Sequence, residues 1–325
     1  MDIVLIYLQN RWIDIEIYVA EFFLSLPDTK ASAMDTHSSV PHVGVSEIVA
    51  GLRRLGIGPG AGLIVHSSLS SFGHVEGGVK TVIDALKGVV TSQGTLIMPS
   101  FNHGAAFGDE GEGYYDPSTT PTKNGAVADA FWRLPDTCRS LDPTHAFAVW
   151  GKHAKRYTKD HHRTLTMGPG SPVGLLHADG GSCLLLGVDY TSNTFHHAVE
   201  TTLGVPCLGQ RTESLPMVLF GGRRVEGRTW SWRNAACPFT DEDRYGGRMA
   251  ARRLQCETTI GSCRAVLFSL EDCFQVVAQM LRDGTDGFPP CSGCTIRPLR
   301  GKDTVPSDWD KVGDVLRADS VAWSY

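Results

Sequence analysis

The stretch GLIVHSSLSSFGHVEGGVKTVIDALKGVVTSQGTLIMPSF, residues 62–101, contains the pattern that decides the fold. Gly62–Leu69 is a short β-branched segment typical of a strand, and it enters a loop rich in Ser and Gly. Gly77–Val90 has apolar residues at helical spacing, and Gly94–Phe101 is a second strand pattern ended by Pro99. A strand, a helix and a strand in this order predict a layered α/β sheet.

The same alternation continues on both sides of this stretch. Helical spacing recurs at Ser46–Ile57, with a Ser cap, and at Asn124–Leu134 and Ser269–Gly284. Strand patterns recur at His145–Gly151 and Ser182–Val188. After Gly204 the chain is rich in strand patterns, and two segments joined at Gly221–Gly222 predict an antiparallel hairpin in the C-terminal half.

Composition and patterning predict one main domain at residues 44–283. No internal repeat or linker divides it. Residues 1–43 are predicted to be an N-terminal extension, either partly disordered or forming a docking helix, and Met34 offers a second possible start. Residues 284–325 are predicted to be a C-terminal tail that packs on the domain.

The charge and the cysteines exclude several classes of protein. The formal charge is −5, with 30 Lys and Arg against 35 Asp and Glu, so no basic stripe for nucleic acid is expected. Charged residues interrupt the apolar N-terminus, which predicts a cytoplasmic protein with no membrane span and no signal peptide. The nine cysteines are odd in number and scattered, so reduced thiols are expected. Cys291 and Cys294 have zinc-like spacing, but no second pair exists, and a tight turn is preferred.

The segment NTFHHAVE, residues 193–200, contains the best candidate for catalysis. It follows an apolar strand pattern, and Asn193 or Thr194 can cap a helix that begins there. His197 and Glu200 are then at i and i+3, so the carboxylate can fix the imidazole tautomer and make His197 a general base. His196 is rotated by about a hundred degrees on that helix and cannot share this arrangement. The alternative is a structural pair, because His-x-x-Glu is common on helices.

Two loops can bind an anion through backbone N–H groups at a helix start. One is the Ser- and Gly-rich Val65–Gly78 and the other is Thr120–Gly125, and a plain turn is the alternative for the first. Arg139 suits a phosphate through bidentate hydrogen bonds. The long loop 102–123 is either functional or disordered. The motifs of nucleotide-triphosphate, dinucleotide and serine-hydrolase sites are absent from the Val65–Gly78 loop.

Taken in order, three runs resemble the aminoglycoside 3-N-acetyltransferase family. They are residues 65–101, residues 116–154 (DPSTTPTKNGAVADAFWRLPDTCRSLDPTHAFAVWGKHA) and residues 168–200 (GPGSPVGLLHADGGSCLLLGVDYTSNTFHHAVE), and the resemblance covers roughly 44–283. It implies a three-layer α/β/α fold with a central mixed sheet. It also implies acetyl transfer from acetyl-CoA, as co-substrate, to an aminoglycoside, at the 3-amino group of 2-deoxystreptamine.

The resemblance also implies roles for individual residues. The family's N-T-x-x-H-x-x-E motif falls on Asn193, Thr194, His197 and Glu200, so that His197 is the base and Glu200 orients it. A coenzyme A channel is expected at Ser67, Ser68, Leu69, Val75, Gly77, Gly78, Thr120, Thr122 and Arg139. Substrate contacts are expected from Asn193, Thr194 and His145, and Ser140 and Thr144 are further pocket residues. Asp109 and Asp116 of the acidic loop are expected to hold the cationic sugar, unless the loop is only solvated.

Some features leave the acceptor open. Asp142 stands where many relatives have His, and the 284–325 tail has no counterpart in the shorter pattern. The alternatives are an N-acetyltransferase of another small amine and a non-catalytic relative that binds coenzyme A. A metal-dependent hydrolase is a third, with incomplete ligands, so no metal is expected. A homodimer is left open.

Overall fold

The computed structural model describes Ile6–Leu8, Arg11–Ile13 and residues 42–203, 211–219, 222–231 and 245–283. The chain divides into two units, residues 1–39 and 40–325. In the first unit, β1 (Ile6–Leu8) pairs antiparallel with β2 (Arg11–Ile13). These six residues form the two strands of this pair, and the extension predicted for residues 1–43 stays a prediction. The predicted tail 284–325, with Cys291 and Cys294, lies outside the described residues.

The second unit contains a seven-stranded mixed sheet. Its strands are β4 (Gly62–Ser67), β6 (Thr95–Pro99), β7 (Thr137–Arg139), β8 (Phe147–Gly151), β9 (Ser182–Leu186), β12 (Gln255–Ile260) and β13 (Cys263–Ser269). Their spatial order is β12-β13-β9-β4-β6-β8-β7. The three central strands β9, β4 and β6 are parallel, and an antiparallel pair extends the sheet on each side.

Two smaller pairings accompany this sheet. A short parallel pair joins β3 (His42–Val43) to β5 (His74–Val75). The predicted C-terminal hairpin is confirmed, because β10 (Arg211–Val218) pairs antiparallel with β11 (Arg224–Ser231). At its turn the Gly222 N–H donates to the Leu219 carbonyl at 2.9 Å, and Gly222 has a φ of 82°, which favours glycine.

Helices cover both faces of the sheet, which confirms the three-layer prediction. One face packs against α1 (Val45–Arg54), α2 (Val79–Val90) and α3 (Ala126–Trp132) in one apolar core. The other packs against α4 (Ala154–Thr158), α5 (Pro172–Ala178), α6 (Phe195–Thr202), α7 (Gly247–Ala251) and α8 (Leu270–Asp283) in a second core.

Successive side chains of β4 point alternately into the two apolar cores. Leu63 and Val65 are buried in the core on the α1–α3 side, whereas Ile64 is buried in the opposite core. Because successive side chains of a strand point to opposite faces, His66 follows Ile64 and Ser67 follows Val65. The last two residues of this strand therefore belong to different faces of the sheet.

The helix ends differ from prediction in one case and agree in another. Helix α1 begins at Val45, one residue before the predicted Ser cap, because the Gly44 N–H donates to the Glu47 carboxylate at 3.0 Å. The helix predicted at Ser269–Gly284 is confirmed as α8, and Ser269 caps it, since the Asp272 N–H donates to Ser269 Oγ at 2.9 Å. Strand β12 was not predicted, because it lies at the edge of the sheet and its mostly accessible side chains give no apolar signal.

The sheet topology determines where a ligand can bind. The neighbours of β4 are β6 on one side and β9 on the other, and all three strands run in the same direction. In open α/β sheets, ligands bind at the carboxyl ends of the strands where the connections diverge to opposite sides. That position lies at the end of β4.

Across the described ranges, no helix combines the length and the apolar character needed to span a membrane.

Candidate active site

The start of α6 brings His197 and Glu200 together as predicted. Asn193 Oδ1 accepts the Phe195 N–H at 3.0 Å and thereby satisfies one of the exposed N–H groups at the helix start. One turn into the helix, His197 Nδ1 lies 2.8 Å from Glu200 Oε2. Because an ionised carboxylate only accepts hydrogen bonds, the proton is on Nδ1 and the lone pair is on Nε2. This geometry suits a general base.

Burial makes this pair well defined. The Glu200 side chain is fully buried, whereas 25% of the His197 side chain is accessible. A charge-assisted hydrogen bond is stronger away from water, so the carboxylate holds the ring in one orientation. The imidazole is left at the surface of a cavity, where it can meet a ligand.

His196 lies beside this pair, as a second ring next to the proposed base. Its ring centroid is 4.0 Å from that of His197, and its Nδ1 is 3.5 Å from the Tyr245 hydroxyl. The two rings approach each other because an imidazole side chain is long enough to span the angle between neighbouring positions on the helix. Ligand atoms of His196, His197 and Glu200 all lie within 4.8 Å of one another, a donor set that could hold a zinc ion.

A cavity of about 560 Å³ adjoins this pair at the carboxyl end of β4. The predicted substrate residues Thr194 and His145 line it together with His196 and His197. The Thr194 hydroxyl is buried and has no hydrogen-bond partner among the described residues. None of the described residues that line this cavity is Asp or Glu.

A second cavity, of about 590 Å³, lies on the other side of the β4 end. Five of the residues predicted for the coenzyme line it, namely Ser67, Ser68, Leu69, Val75 and Gly78. Gly125 and Ala126, at the start of α3, complete this wall. Ser67 lines both cavities, so the two meet at the end of β4.

Gly77 was predicted to contact the coenzyme, but it shapes the turn before α2 instead. It is not among the residues that line the second cavity. Its φ is +76°, and a Cβ on it would come within 2.7 Å of Thr81 Oγ1. The turn therefore requires glycine at this position.

Arg139 does not offer its guanidinium to a phosphate, contrary to prediction. It is buried, and it donates to the Thr120 carbonyl at 2.6 Å, the Pro117 carbonyl at 3.2 Å and the Ser100 carbonyl at 3.0 Å. The guanidinium also lies 4.2 Å from the centre of the Trp132 ring. Arg139 therefore fastens the 117–120 loop to the end of β6.

The predicted loop residues have similar internal roles. Thr120 Oγ1 accepts the Asp116 N–H at 2.8 Å, and the Asp116 carboxylate accepts the Ser118 N–H at 2.7 Å. Thr122 Oγ1 donates to the Phe101 carbonyl at 2.9 Å. Thr120, Asp116 and Thr122 line neither cavity, and neither does the exposed Asp109. These four ligand contacts therefore stay predictions.

Asn193 also differs from its predicted role as a substrate contact. Its side chain is completely buried, and its Nδ2 donates to the Tyr245 hydroxyl at 3.2 Å. With Oδ1 at the start of α6, the amide ties this helix to the segment before α7. Asn193 therefore holds the start of α6, the helix that carries His197, in place.

The segment with Arg139, Ser140, Thr144 and His145 contributes mainly His145 to the cavity. Asp142 Oδ1 accepts from the Thr144 N–H at 3.0 Å and from the His145 N–H at 2.8 Å, which fixes this turn. Burial lowers the pKa of His145 to about 3, although Asp142 acts in the opposite direction. The ring is therefore neutral at physiological pH. Ser140 donates to or accepts from His161 Nδ1 at 2.8 Å and lies outside the cavity wall.

Several residues of the cavity wall were not among the predicted site residues, and four of them are polar or aromatic side chains close to the predicted ones. They are His66, Phe101, His103 and Asn124. His103 lies in the long loop, has a φ of 51°, and its ring centroid is 5.3 Å from that of His145. A polar residue with a strained backbone in a long loop is a functional signal, but sequence alone does not show the strain. His66 lies at the start of the predicted Val65–Gly78 loop, but its place at the end of a strand gave no separate signal for a role of its side chain.

Comparisons with known proteins agree with this geometry. The family described as "Aminoglycoside 3-N-acetyltransferase" matches residues 64–282. The aminoglycoside N(3)-acetyltransferase IV of a Salmonella species is 39% identical over 163 residues, which cover 50% of this chain and 60% of the relative. The aminoglycoside N(3')-acetyltransferase-like protein YokD of Bacillus subtilis is 35% identical over 171 residues, covering 47% and 63%. The chain thus spans less than two thirds of the length of these curated relatives.

Solved structures share the fold over a larger part of the chain. The crystal structure of the Bacillus subtilis YokD protein has a TM-score of 0.67 and 28% identity, and covers 77% of this chain and 97% of that one. A histidine-to-alanine variant of aminoglycoside acetyltransferase AAC(3)-IVa in complex with a gentamicin has a TM-score of 0.64 and 30% identity, covering 78% and 96%. Since the family match extends over about two thirds of the sequence, the chain belongs to the aminoglycoside 3-N-acetyltransferase family.

Proposed function

We propose that the protein transfers the acetyl group of acetyl-CoA to an amino group of an aminoglycoside, with His197 as general base and Glu200 as the residue that orients it. The observation that carries this proposal is the His197–Glu200 pair at the wall of a cavity that meets a second cavity at Ser67. Two cavities with one junction suit a reaction between two substrates. The family of the chain supports the same chemistry.

The second cavity is the proposed coenzyme A site. Backbone N–H groups at the start of α2, next to Gly78, are not used within the helix and can donate to a phosphate. Because Arg139 is engaged with carbonyl groups, the phosphates depend on these N–H groups and on the Ser68 region. The thioester then lies near Ser67, where the two cavities meet.

In the first cavity His197 performs the proton transfer. The neutral amine attacks the thioester carbonyl carbon, and its excess proton passes to His197 Nε2 as the C–N bond forms. When the C–S bond breaks, the electron pair leaves with sulfur, and the imidazolium protonates the thiolate. No covalent enzyme intermediate is needed. The buried Glu200 carboxylate stabilises the imidazolium that forms in between.

For the acceptor we propose the 3-amino group of a 2-deoxystreptamine ring. This rests on the family and on the solved relative that holds a gentamicin. Thr194, with a hydroxyl that has no partner among the described residues, and His145, a neutral ring, are the proposed polar contacts to the sugar.

A second candidate acceptor is a small amine with fewer charges. It is favoured by one observation, namely that no carboxylate is found among the described residues lining the first cavity. A polycationic sugar gains affinity from facing carboxylates, whereas a monoamine needs none. Both candidates use the same base and the same coenzyme site.

The test has two parts. Calorimetry of the full chain, treated with a chelator, should show acetyl-CoA binding, which would also show that bound metal is not required. Acetyl-CoA consumption is then measured with gentamicin-like and neomycin-like compounds and with simple amines, and mass spectrometry should detect a single added acetyl on the aminoglycosides. Acetylation of only the simple amines would replace the first candidate acceptor by the second. If acetyl-CoA does not bind at millimolar concentration, the transferase proposal is wrong.

A further inference from the structure

His66 lines the first cavity, next in sequence to Ser67, and the proposed transfer gives it no role. It is the residue before Ser67 on β4, and it lines the same cavity as His197. By the alternation of the strand it lies on the face of the sheet that also carries α6. It therefore lies in the wall of the cavity that also holds the proposed base.

The His66 ring is buried in an unusual way. Only 7% of the residue is exposed, and its Nε2 has no hydrogen-bond partner among the described residues. His161 provides the contrast, because its Nδ1 and Nε2 lie 2.8 Å from Ser140 Oγ and 2.8 Å from the Thr166 carbonyl. Buried polar groups are normally paired, so a buried ring without a protein partner at a cavity wall indicates that a ligand supplies the partner.

We propose that His66 is a further catalytic residue, which donates an imidazole N–H to the carbonyl oxygen of the acetyl thioester. Burial lowers the pKa of His66 to about 3, so the ring is neutral at physiological pH. A neutral imidazole carries one N–H, which it can donate to the substrate. A neutral imidazole can polarise a carbonyl in this way. A half-turn of the His66 ring about its Cβ–Cγ bond exchanges the positions of ring nitrogens and ring carbons. The ring occupies nearly the same volume in both orientations, so the N–H can face the ligand.

The donated hydrogen bond acts on the charge that develops during transfer. As the amine nitrogen bonds to the carbonyl carbon, the C=O π electrons move onto oxygen, and the His66 N–H stabilises this oxyanion. When the C=O bond re-forms, the C–S bond breaks and its electron pair leaves with sulfur. His66 keeps its proton throughout, while His197 carries the amine proton to the thiolate. Donors that face a developing oxyanion contribute more in the transition state than in the ground state.

The inference rests on the proposed transferase function, so the first measurement is wild-type turnover with acetyl-CoA and the aminoglycoside panel. The variant His66→Phe keeps a ring and removes the donor, and His66→Gln restores an N–H. We expect His66→Phe to lower kcat by about 10²–10³-fold, with little change in KM for either substrate, and His66→Gln to regain at least about tenfold. The loss should be the same across the pH range, because a neutral ring that keeps its proton adds no titration to the profile.

Two controls separate this role from a structural one. His161→Phe removes a buried imidazole with both nitrogens bonded, so it should lower Tm, whereas His66→Phe should leave Tm unchanged or raise it. In the infrared, the carbonyl stretch of bound ¹³C-labelled acetyl-CoA should lie at lower frequency in the wild type than in His66→Phe, and this readout needs no acceptor. A folded His66→Phe with near-normal kcat and an unshifted carbonyl band would overturn the inference and leave the transferase proposal intact. A wild type that neither binds nor turns over acetyl-CoA would refute both.

Discussion

The substitution Glu200→Gln tests whether the carboxylate acts through His197. Gln has the size of Glu, but it replaces a charge-assisted hydrogen bond at 2.8 Å by a neutral one in a fully buried position. A hydrogen bond to a charged group contributes about 1.5–3 kcal/mol, against about 1 kcal/mol for a neutral one. If this difference of about 0.5–2 kcal/mol is lost in the transition state, kcat falls by about 2- to 30-fold, since 1.36 kcal/mol is a factor of ten.

The assay is a double-mutant cycle on kcat for acetyl-CoA consumption. His197→Ala removes the base and should lower kcat by about 10²–10⁴-fold. If Glu200 acts only by orienting and stabilising this imidazole, adding Glu200→Gln to His197→Ala should cost almost nothing further. Circular dichroism and Tm should show that each variant is folded.

The chain provides a matched control at the surface. Glu271 accepts from His177 Nε2 at 2.7 Å in the same type of pair, but its side chain is 59% accessible. Glu271→Gln should therefore leave kcat unchanged. The reasoning is refuted if Glu200→Gln keeps wild-type kcat, or if the two losses multiply in the double variant.

Three further outcomes follow from the structure. His196→Ala should lower kcat by less than about tenfold, because the proposed base and its carboxylate both remain, and a loss larger than that of His197→Ala in steady-state kinetics would reverse the assignment. Arg139→Met should lower the free energy of unfolding by at least about 3 kcal/mol in urea titrations, since three bonds to carbonyl groups are lost, with little change in the acetyl-CoA dissociation constant by calorimetry. A strongly weakened coenzyme in a folded Arg139→Met would instead support a phosphate contact. Acid should destabilise the protein through His66, because its pKa is about 3 when folded and about 6.5 when unfolded, so the unfolded chain takes up the proton as the pH falls below 6.5. At pH 5 this amounts to about 2 kcal/mol relative to pH 7.5, and His66→Phe should remove that part of the loss in urea titrations at the two pH values.

The sequence by itself determined the features that depend on local periodicity. The strand and helix alternation around residues 62–101 predicted the layered sheet, because burial on both faces imposes apolar runs on the strands and apolar stripes on the helices. The pairing of His197 with Glu200 was also predictable, since i and i+3 meet on any helix. Ser67, Ser68, Leu69, Val75 and Gly78 were placed together by the resemblance, and the structure brings them to one cavity.

Only the tertiary structure decided which polar groups have their hydrogen-bond partners within the protein. Arg139 has the chemistry of a phosphate contact, but it is surrounded by the carbonyls of Ser100, Pro117 and Thr120, which lie 19 to 39 residues away in the chain. His66 looks like an ordinary strand residue, and its position in the wall of the first cavity depends on β6 and β9 packing on either side of β4. Hydrogen-bond satisfaction is a long-range property of the packed chain, so residue type and spacing do not reveal it.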